Sequence, residues 1–431
     1  MFPKEKIDEK SGLRTEFRKF GLAYCDLPTM VDNVATFLRV LTLNIDIRHK
    51  KPIPISSYIV TTITAGSYAY VYGVSAIWFV VERCVATRDI LRGIIMFSLC
   101  ISSEIGNAKL CYIYYYREII RKLLHECLSF DATVVPGSRY AMNILKTMRM
   151  AKIRAMMFWI TVMGNGFLYT TKPILTPGRR FMDDIFTLYG LEPMEKSPNF
   201  EFGYALVAAA VWFLCYVPAN VTAVLIVVAG YIEAQMLALT QELLHVWSDA
   251  EQYYKNLNFT VLKRGSFVDA NYKKRVLNEF VTMRLIDIIQ KHARNVYLLQ
   301  LLEDVFRGAI ALEFVLLVLG LIAELLGGLE NTFLEMPYAF VQVAMDCWTG
   351  QRVMDASAQF AAAVYACKWE MFDVANKKIV LLMLASAQKT MKLSAGGVTM
   401  LSFESLMAVV RSIYSAYTTL QSTLKMNVHI K

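Results

Sequence analysis

VTMLSFESLMAVVRSIYSAYTTLQSTL, residues 398–424, decides how this chain is read. A membrane span needs about 20 residues at 1.5 Å rise each, and this stretch is long enough. It is also wet. Glu404, Ser405, Arg411, Ser412, Ser415, Thr418, Thr419, Gln421, Ser422 and Thr423 interrupt its apolar residues. A central Arg against lipid costs about 2.5–3.5 kcal/mol on insertion scales. The segment therefore needs protein on one side and water on another, as a helix lining a pore has. The competing reading is a helix buried among neighbours, its hydroxyls bonded back to its own carbonyls. The stretch alone leaves both open.

Composition places that helix in a polytopic membrane protein. Of 431 residues, 56% are hydrophobic and 19% charged. Soluble domains are nearer 45–50% and about 25%. The start, MFPKEKIDEKSG, has no apolar core, so no cleavable signal peptide is expected and the first span is expected to direct insertion. The net charge of +9 is not gathered with aromatics into a basic face, which argues against a nucleic-acid partner. Eight cysteines show neither CxxC nor His/Cys metal spacing, so no disulfide framework, metal or other cofactor is expected.

Seven spans follow from length and hydropathy. Residues 1–54 read as a cytosolic segment against the membrane surface, with Val34, Phe37, Leu38 and Leu41 on one helical stripe. Residues 55–247 hold spans one to four: Ser56–Val81, Ile90–Tyr116, Ala155–Leu175 and Phe202–Leu239. Glu104 and Lys109 inside the second should each face an internal partner. Gly164 and Gly166 permit close approach in the third, and Pro218 predicts a kink in the fourth. The fourth is too long for one bilayer and should continue through His245 and Trp247. Arg117 to Arg154 reads as a basic loop.

Residues 248–308 form a cytosolic loop and anchor helix. Val281, Leu285, Ile288, His292, Val296 and Leu299 make a stripe suited to contact between helices or subunits. On it, His292 reads as a packing residue rather than a ligand. Residues 309–353 hold spans five and six, 354–396 cytosolic anchor helices, 397–424 the final span and 425–431 an extracellular tail. Lys and Arg concentrate in the N-terminus and after spans two, four and six. The positive-inside rule then puts the N-terminus in the cytosol and the C-terminus outside, opposite to a seven-helix metabotropic receptor. Two sequons, Asn220-Val-Thr222 and Asn258-Phe-Thr260, should both stay unglycosylated in this orientation.

Spans six and seven carry a family resemblance. AMDCWTGQRVMDASAQFAAAVYACKWE resembles the insect odorant receptor pattern of aromatic-Cys-x-x-Gly-Asn, an acidic and Ser stretch, then Ala-x-Tyr-x-x-x-Trp. SAGGVTMLSFESLMAVVRSIYSAYTTLQS resembles that family's terminal span, and LLEDVFRGAIALEF its fifth-helix entry. The resemblance covers the last third of the chain; before residue 290 it rests on topology and loop lengths. It implies a ligand-gated, nonselective cation channel in the plasma membrane of sensory neurons. A divergent odour-tuning subunit would assemble with a shared co-receptor in a tetramer. It implies an odorant pocket in the outer half of the bilayer among helices two, three, four and six, a cytosolic anchor, and a pore lined by the last helix.

Within that scheme, apolar residues on the implicated spans are candidates to bind a small volatile ligand by burial. They are Ile94, Phe97 and Ile101 on the second span, Met163, Phe167 and Leu168 on the third, Ala208, Val211 and Trp212 on the fourth, and Phe340, Val343 and Ala344 on the sixth. The pore candidates are Ser415, Thr419, Ser422 and Thr423. The chain departs from the co-receptor pattern: Ala416 and Ser422 stand where a Tyr and a Gln are common, and Thr419 and Thr423 align with an apolar constriction. It therefore reads as a tuning subunit. An acid at Asp346, where the family often has Tyr, is expected to alter the pocket floor. A gustatory receptor channel is the nearest rival and a metabotropic receptor the more distant one. The absence of an internal repeat and of clustered His or carboxylates sets transporters and enzymes aside.

Overall fold

The computed structural model describes residues 18–175, 177–178, 181, 187–262, 270–328 and 332–429. They form long helices, and one of them organises the rest. It is α6, Asn199–Leu262, introduced here with its neighbours: α1, Leu27–Val40; α2, Ile55–Thr87; α3, Ile90–Tyr115; α4, Arg117–Asp131; and α5, Arg139–Leu175. After it come α7, Ala270–Gly327; α8, Glu335–Ala366; α9, Val374–Ala387; and α10, Phe403–His429.

The 64 residues of α6 extend about 96 Å at the usual rise, roughly three bilayer cores. In its most apolar window 89% of residues are buried, whereas α2 buries 33%. α1, α2, α3, α5, α7 and α8 all pack against it. Hydropathy explains the difference. A membrane helix at the centre of a bundle is apolar all round because it meets only protein, whereas one at the rim shows apolar residues to lipid.

Among the described residues, seven helices are long enough to cross the membrane: α2, α3, α5, α6, α7, α8 and α10. Among the described residues, α2, α3, α6 and α7 also pass on apolarity alone. The fourth span continues through Trp247 as expected, and its helix runs unbroken through Pro218. A Cβ added at Gly106 of α3 would lie 2.8 Å from the Pro218 ring, so that pair marks a close crossing.

Several expectations change. The basic stretch from Arg117 to Arg154 is no loop: α4 and the first four turns of α5 occupy most of it. The boundaries at 247, 308 and 353 fall inside α6, α7 and α8, because hydropathy changes at the bilayer surface while helical hydrogen bonding does not. α1 does more than lie on a surface. Leu27, Met30, Val31 and Leu38 are buried, and the Tyr216 hydroxyl donates to the Phe37 carbonyl at 2.9 Å. Lys152 of α5 donates to the carbonyls of Lys19, Gly21 and Tyr24, tying the segment before α1 to the bundle.

The stripe on α7 is buried within one chain rather than reserved for another subunit. Val281, Leu285, Ile288 and Leu299 are in the core, and His292 stacks on Phe360 at 4.7 Å. Burial holds the His292 imidazole below its ordinary pKa. Before α10 the chain makes an unforeseen hairpin, β1 (Ser394–Ala395) with β2 (Thr399–Met400), turning on Gly396 and Gly397 at φ +63° and +79°. All eight cysteines are free thiols.

Candidate functional site

Three places in the membrane part bring chemistry together. The first is a cavity between α2, α3, α5, α6 and the start of α8. Tyr72 enters it from α2, Leu99, Ser102 and Ser103 from α3, and Asn165, Gly166 and Tyr169 from α5. Val211, Leu214 and Cys215 come from α6, and Leu334, Glu335 and Tyr338 from the start of α8. Its volume is about 30 Å³, room for a water molecule or two. A larger guest must spread the walls. Gly166 sets their spacing: a Cβ there would lie 2.5 Å from Cys215 Sγ, so glycine lets α5 and α6 close together. At Gly164 the same atom would meet nothing within 4 Å.

The second place is a buried charge cluster deeper in the bundle. Lys109 Nζ of α3 lies 2.9 Å from Glu313 Oε2 of α7 and 2.7 Å from Asp346 Oδ2 of α8, all three side chains fully buried. The same ammonium donates to Thr222 Oγ1 of α6 at 3.1 Å. Four helices are thus joined at one cation. Glu104 also has an internal partner, accepting from the Tyr68 hydroxyl at 2.6 Å. Asp346 pairs with Lys109 and does not line the cavity.

The third place is α10. Leu406 and Ile413 are buried against the chain, while Arg411, Ser412, Ser415, Thr418, Thr419 and Ser422 are exposed. The hydroxyls of Ser412, Thr418, Thr419 and Ser422 donate to carbonyls of the same helix at 2.8–2.9 Å. The hydroxyls are thus satisfied locally, yet the helix is not enclosed. Arg411, Ser412, Ser415, Ala416, Thr419 and Leu420 line an open groove. The side chain of Thr423 lies outside the described residues.

Of the twelve pocket candidates, the cavity takes Val211. Phe97, Phe167, Leu168, Trp212 and Phe340 are exposed on the bundle's outer surface, between 37% and 67% accessible. Ile94 and Phe97 line a shallow groove with Val80, Cys84 and Val85 on α2. Ile101, Met163, Ala208 and Ala344 are half-buried and Val343 is buried, none of them on the cavity. The residues missed, such as Tyr72, Ser102, Asn165, Tyr169 and Glu335, are largely polar. Polarity inside an apolar span was the available signal, since such groups turn away from lipid.

Near the membrane surface, Asp32, Asp46 and His49 bring one ligand atom each within 4.8 Å of one another. Arg48 already supplies a cation there, with Nε and Nη2 both donating to the Asp46 carboxylate. Burial alone would raise the Asp46 pKa, but these bonds hold it below the usual carboxylate value.

A central apolar helix, a small cavity between helices and a half-open polar helix define a multi-pass membrane protein. The chain belongs to the 7tm odorant receptor family, whose model matches residues 87–414. It is 29% identical over 122 residues to odorant receptor 85b of Drosophila melanogaster, covering 26% of this chain and 30% of that one. With odorant receptor 10 of Aedes albopictus it shares 26% over 152 residues, 33% of this chain and 40% of the other. The alignments thus span about a third of each relative's length. The fold is similar to the insect olfactory receptor OR5 of Machilis hrabei solved with eugenol: TM-score 0.71, 14% identity, 92% of this chain and 98% of that one. The same receptor solved without it gives 0.67 at 13% identity, over 91% and 98%.

Proposed function

We propose that this chain is the odorant-binding, tuning subunit of a ligand-gated, nonselective cation channel. In this reading it assembles with a co-receptor subunit as a heterotetramer in the plasma membrane of sensory neurons. The observation that carries the reading is α10. One face packs on the chain, while Arg411, Ser412 and Ser415 on another face are exposed. Lipid is a poor neighbour for that face, and water shared among subunits is a good one.

The cavity supplies the stimulus. A small, mostly apolar odorant gains about 25 cal/mol for each Å² of apolar surface it buries. At its present volume the cavity admits it only by separating α5, α6 and the start of α8. Ligand favours opening to the extent that it binds the spread arrangement better than the closed one. The similarity in fold to a receptor solved with eugenol supports a small-molecule ligand.

The test is whole-cell recording from cells expressing this chain with the co-receptor, G-protein signalling blocked, across an odorant panel. Odorant-gated currents are expected. Val211→Trp, which fills the cavity, should shift half-maximal concentrations by at least about tenfold, while Thr419→Cys should make conductance sensitive to a charged thiol reagent. Currents that need G proteins, or that ignore both changes, would overturn the reading.

A further inference from the structure

The Lys109 cluster does not balance its own charge. Lys109 of α3, Glu313 of α7 and Asp346 of α8 are each 0% exposed. One ammonium lies against two carboxyls, at 2.9 and 2.7 Å, so with both ionised the cluster would hold an uncompensated negative charge. Burying such a charge costs far more than neutralising it. Among the described residues, no second cation pairs with the cluster. α6 contributes the Thr222 hydroxyl, which accepts from Lys109 at 3.1 Å. On α7, Arg307 is exposed; on α8, Cys347 is a free thiol and Arg352 reaches Glu233 instead. Glu104 of α3 is exposed and accepts from Tyr68.

The carboxyls themselves supply a second observation. Each turns one oxygen toward Lys109. The other, Glu313 Oε1 or Asp346 Oδ1, is buried with no hydrogen-bond partner among the described residues. The two carboxyls also lie within hydrogen-bond reach of each other. Ionised carboxylates only accept, so two of them at that separation repel. A proton on one turns the same contact into an O–H donating to the other.

We infer that Lys109, Glu313 and Asp346 form a binding site for one proton, held between the two carboxyls. The count then closes: the ammonium is balanced by one carboxylate, and the second carboxyl is a neutral acid. A single proton shared by two carboxyls is what like charges impose at close range. Its place gives it a mechanical role. Ala311 of α7 lies two residues before Glu313, and a Cβ on Gly396 would be 3.3 Å from its side chain. The Gly396 N–H donates to the Arg307 carbonyl of the same helix at 2.8 Å. Gly350 of α8, one turn beyond Asp346, abuts Leu401. The neutral cluster thus ties α7 to α8 at the level where both hold the entry to α10.

The test reads the proton by infrared spectroscopy on the full chain, purified in lipid nanodiscs. At about pH 7 exposed carboxyls, which titrate at about 4, are ionised and silent in the carboxylic-acid band. Glu313→Gln and Asp346→Asn each leave a single carboxyl, which must ionise to balance Lys109. For either substitution, the wild-type-minus-variant spectrum is expected to show loss of a carboxylic-acid C=O band and no loss of carboxylate bands. Loss of carboxylate bands with the acid band unmoved means that both carboxyls were ionised, and overturns the site. Surface labelling in cells gives a second reading. An amide in place of an un-ionised acid changes no charge, so at least one single variant should reach the surface within about twofold of wild type. The double variant strands the ammonium and should lose at least about tenfold. Failure of both single variants would show that both carboxyls are needed as charges. A double variant at wild-type level would show that the ammonium needs no anion. Either result also overturns the inference.

Discussion

At the scale of single residues, Lys109 has the most to lose. Its ammonium sits against two carboxylates where no water reaches, 2.9 and 2.7 Å away. Removing one partner from a buried ionic group costs about 3–5 kcal/mol, because the charges left behind are uncompensated. Lys109→Met should therefore abolish surface expression, and the triple variant Lys109→Met, Glu313→Gln, Asp346→Asn should restore part of it. Recovery in the triple variant, read by surface labelling, separates lost charge balance from lost packing. A second residue-scale expectation concerns pH. Asp131, at the end of α4, has its carboxyl pushed up to about 6 by burial and by the like charge of Asp26. The folded chain then holds this proton more tightly than the unfolded one. Stability is fullest below the unfolded value near 4 and falls as pH rises through about 6. Asp131→Asn is expected to raise the melting temperature of the detergent-solubilised receptor near pH 7 and to leave it unchanged near pH 4.

At the scale of elements, in the proposed channel the junction between α8 and α10 would carry the coupling between cavity and last helix. α8 starts at the cavity with Glu335 and later passes the entry to α10. There, a Cβ on Gly350 would lie 2.4 Å from Leu401 Cβ and 2.5 Å from its carbonyl oxygen. Backbone cannot yield as a flexible side chain does, so Gly350→Ala should cost about 1–3 kcal/mol and displace the start of α10. Odorant-evoked current should fall in that variant, while Gly164→Ala, which meets open space, should leave dose–response curves unchanged. The elements were legible in the sequence where periodicity and length agreed. The stripe from Val281 to Leu299 announced a packed helix, and the excess length of span four announced one that leaves the bilayer. The cavity was not legible, for a reason particular to lipid. Choosing apolar residues for a binding wall picks the bundle's outside as readily as its inside. Phe97, Phe167 and Trp212 face outward, while Ser102 and Asn165 face in. Nor could two-residue strands at Ser394 and Thr399 be seen, since hydropathy windows are longer than they are.

For the whole molecule, the arrangement of charge predicts which way the chain lies in the membrane. Several of its arginines are paired on neighbouring helices. Arg139 of α5 donates to Glu242 and Asp249 of α6, and Arg284 of α7 reaches the same Glu242. Arg154 of α5 and Arg352 of α8 converge on Glu233. Such networks hold the long helical extensions together, and the Lys and Arg residues around them are expensive to carry across a membrane during insertion. The extensions are therefore expected in the cytosol, with the cavity toward the outside where odorants arrive. Asn220 cannot report on the matter, since it is 1% exposed and donates to the Tyr216 carbonyl at 2.7 Å. The termini can. An epitope placed after Lys431 should be labelled on intact cells, and one before Met1 only after permeabilisation. Asn258, in the α6 extension, should carry no glycan. Surface labelling of the N-terminal epitope, or a mass shift removed by glycosidase and lost in Asn258→Gln, would invert the molecule. It would put the cavity on the side that airborne molecules do not reach.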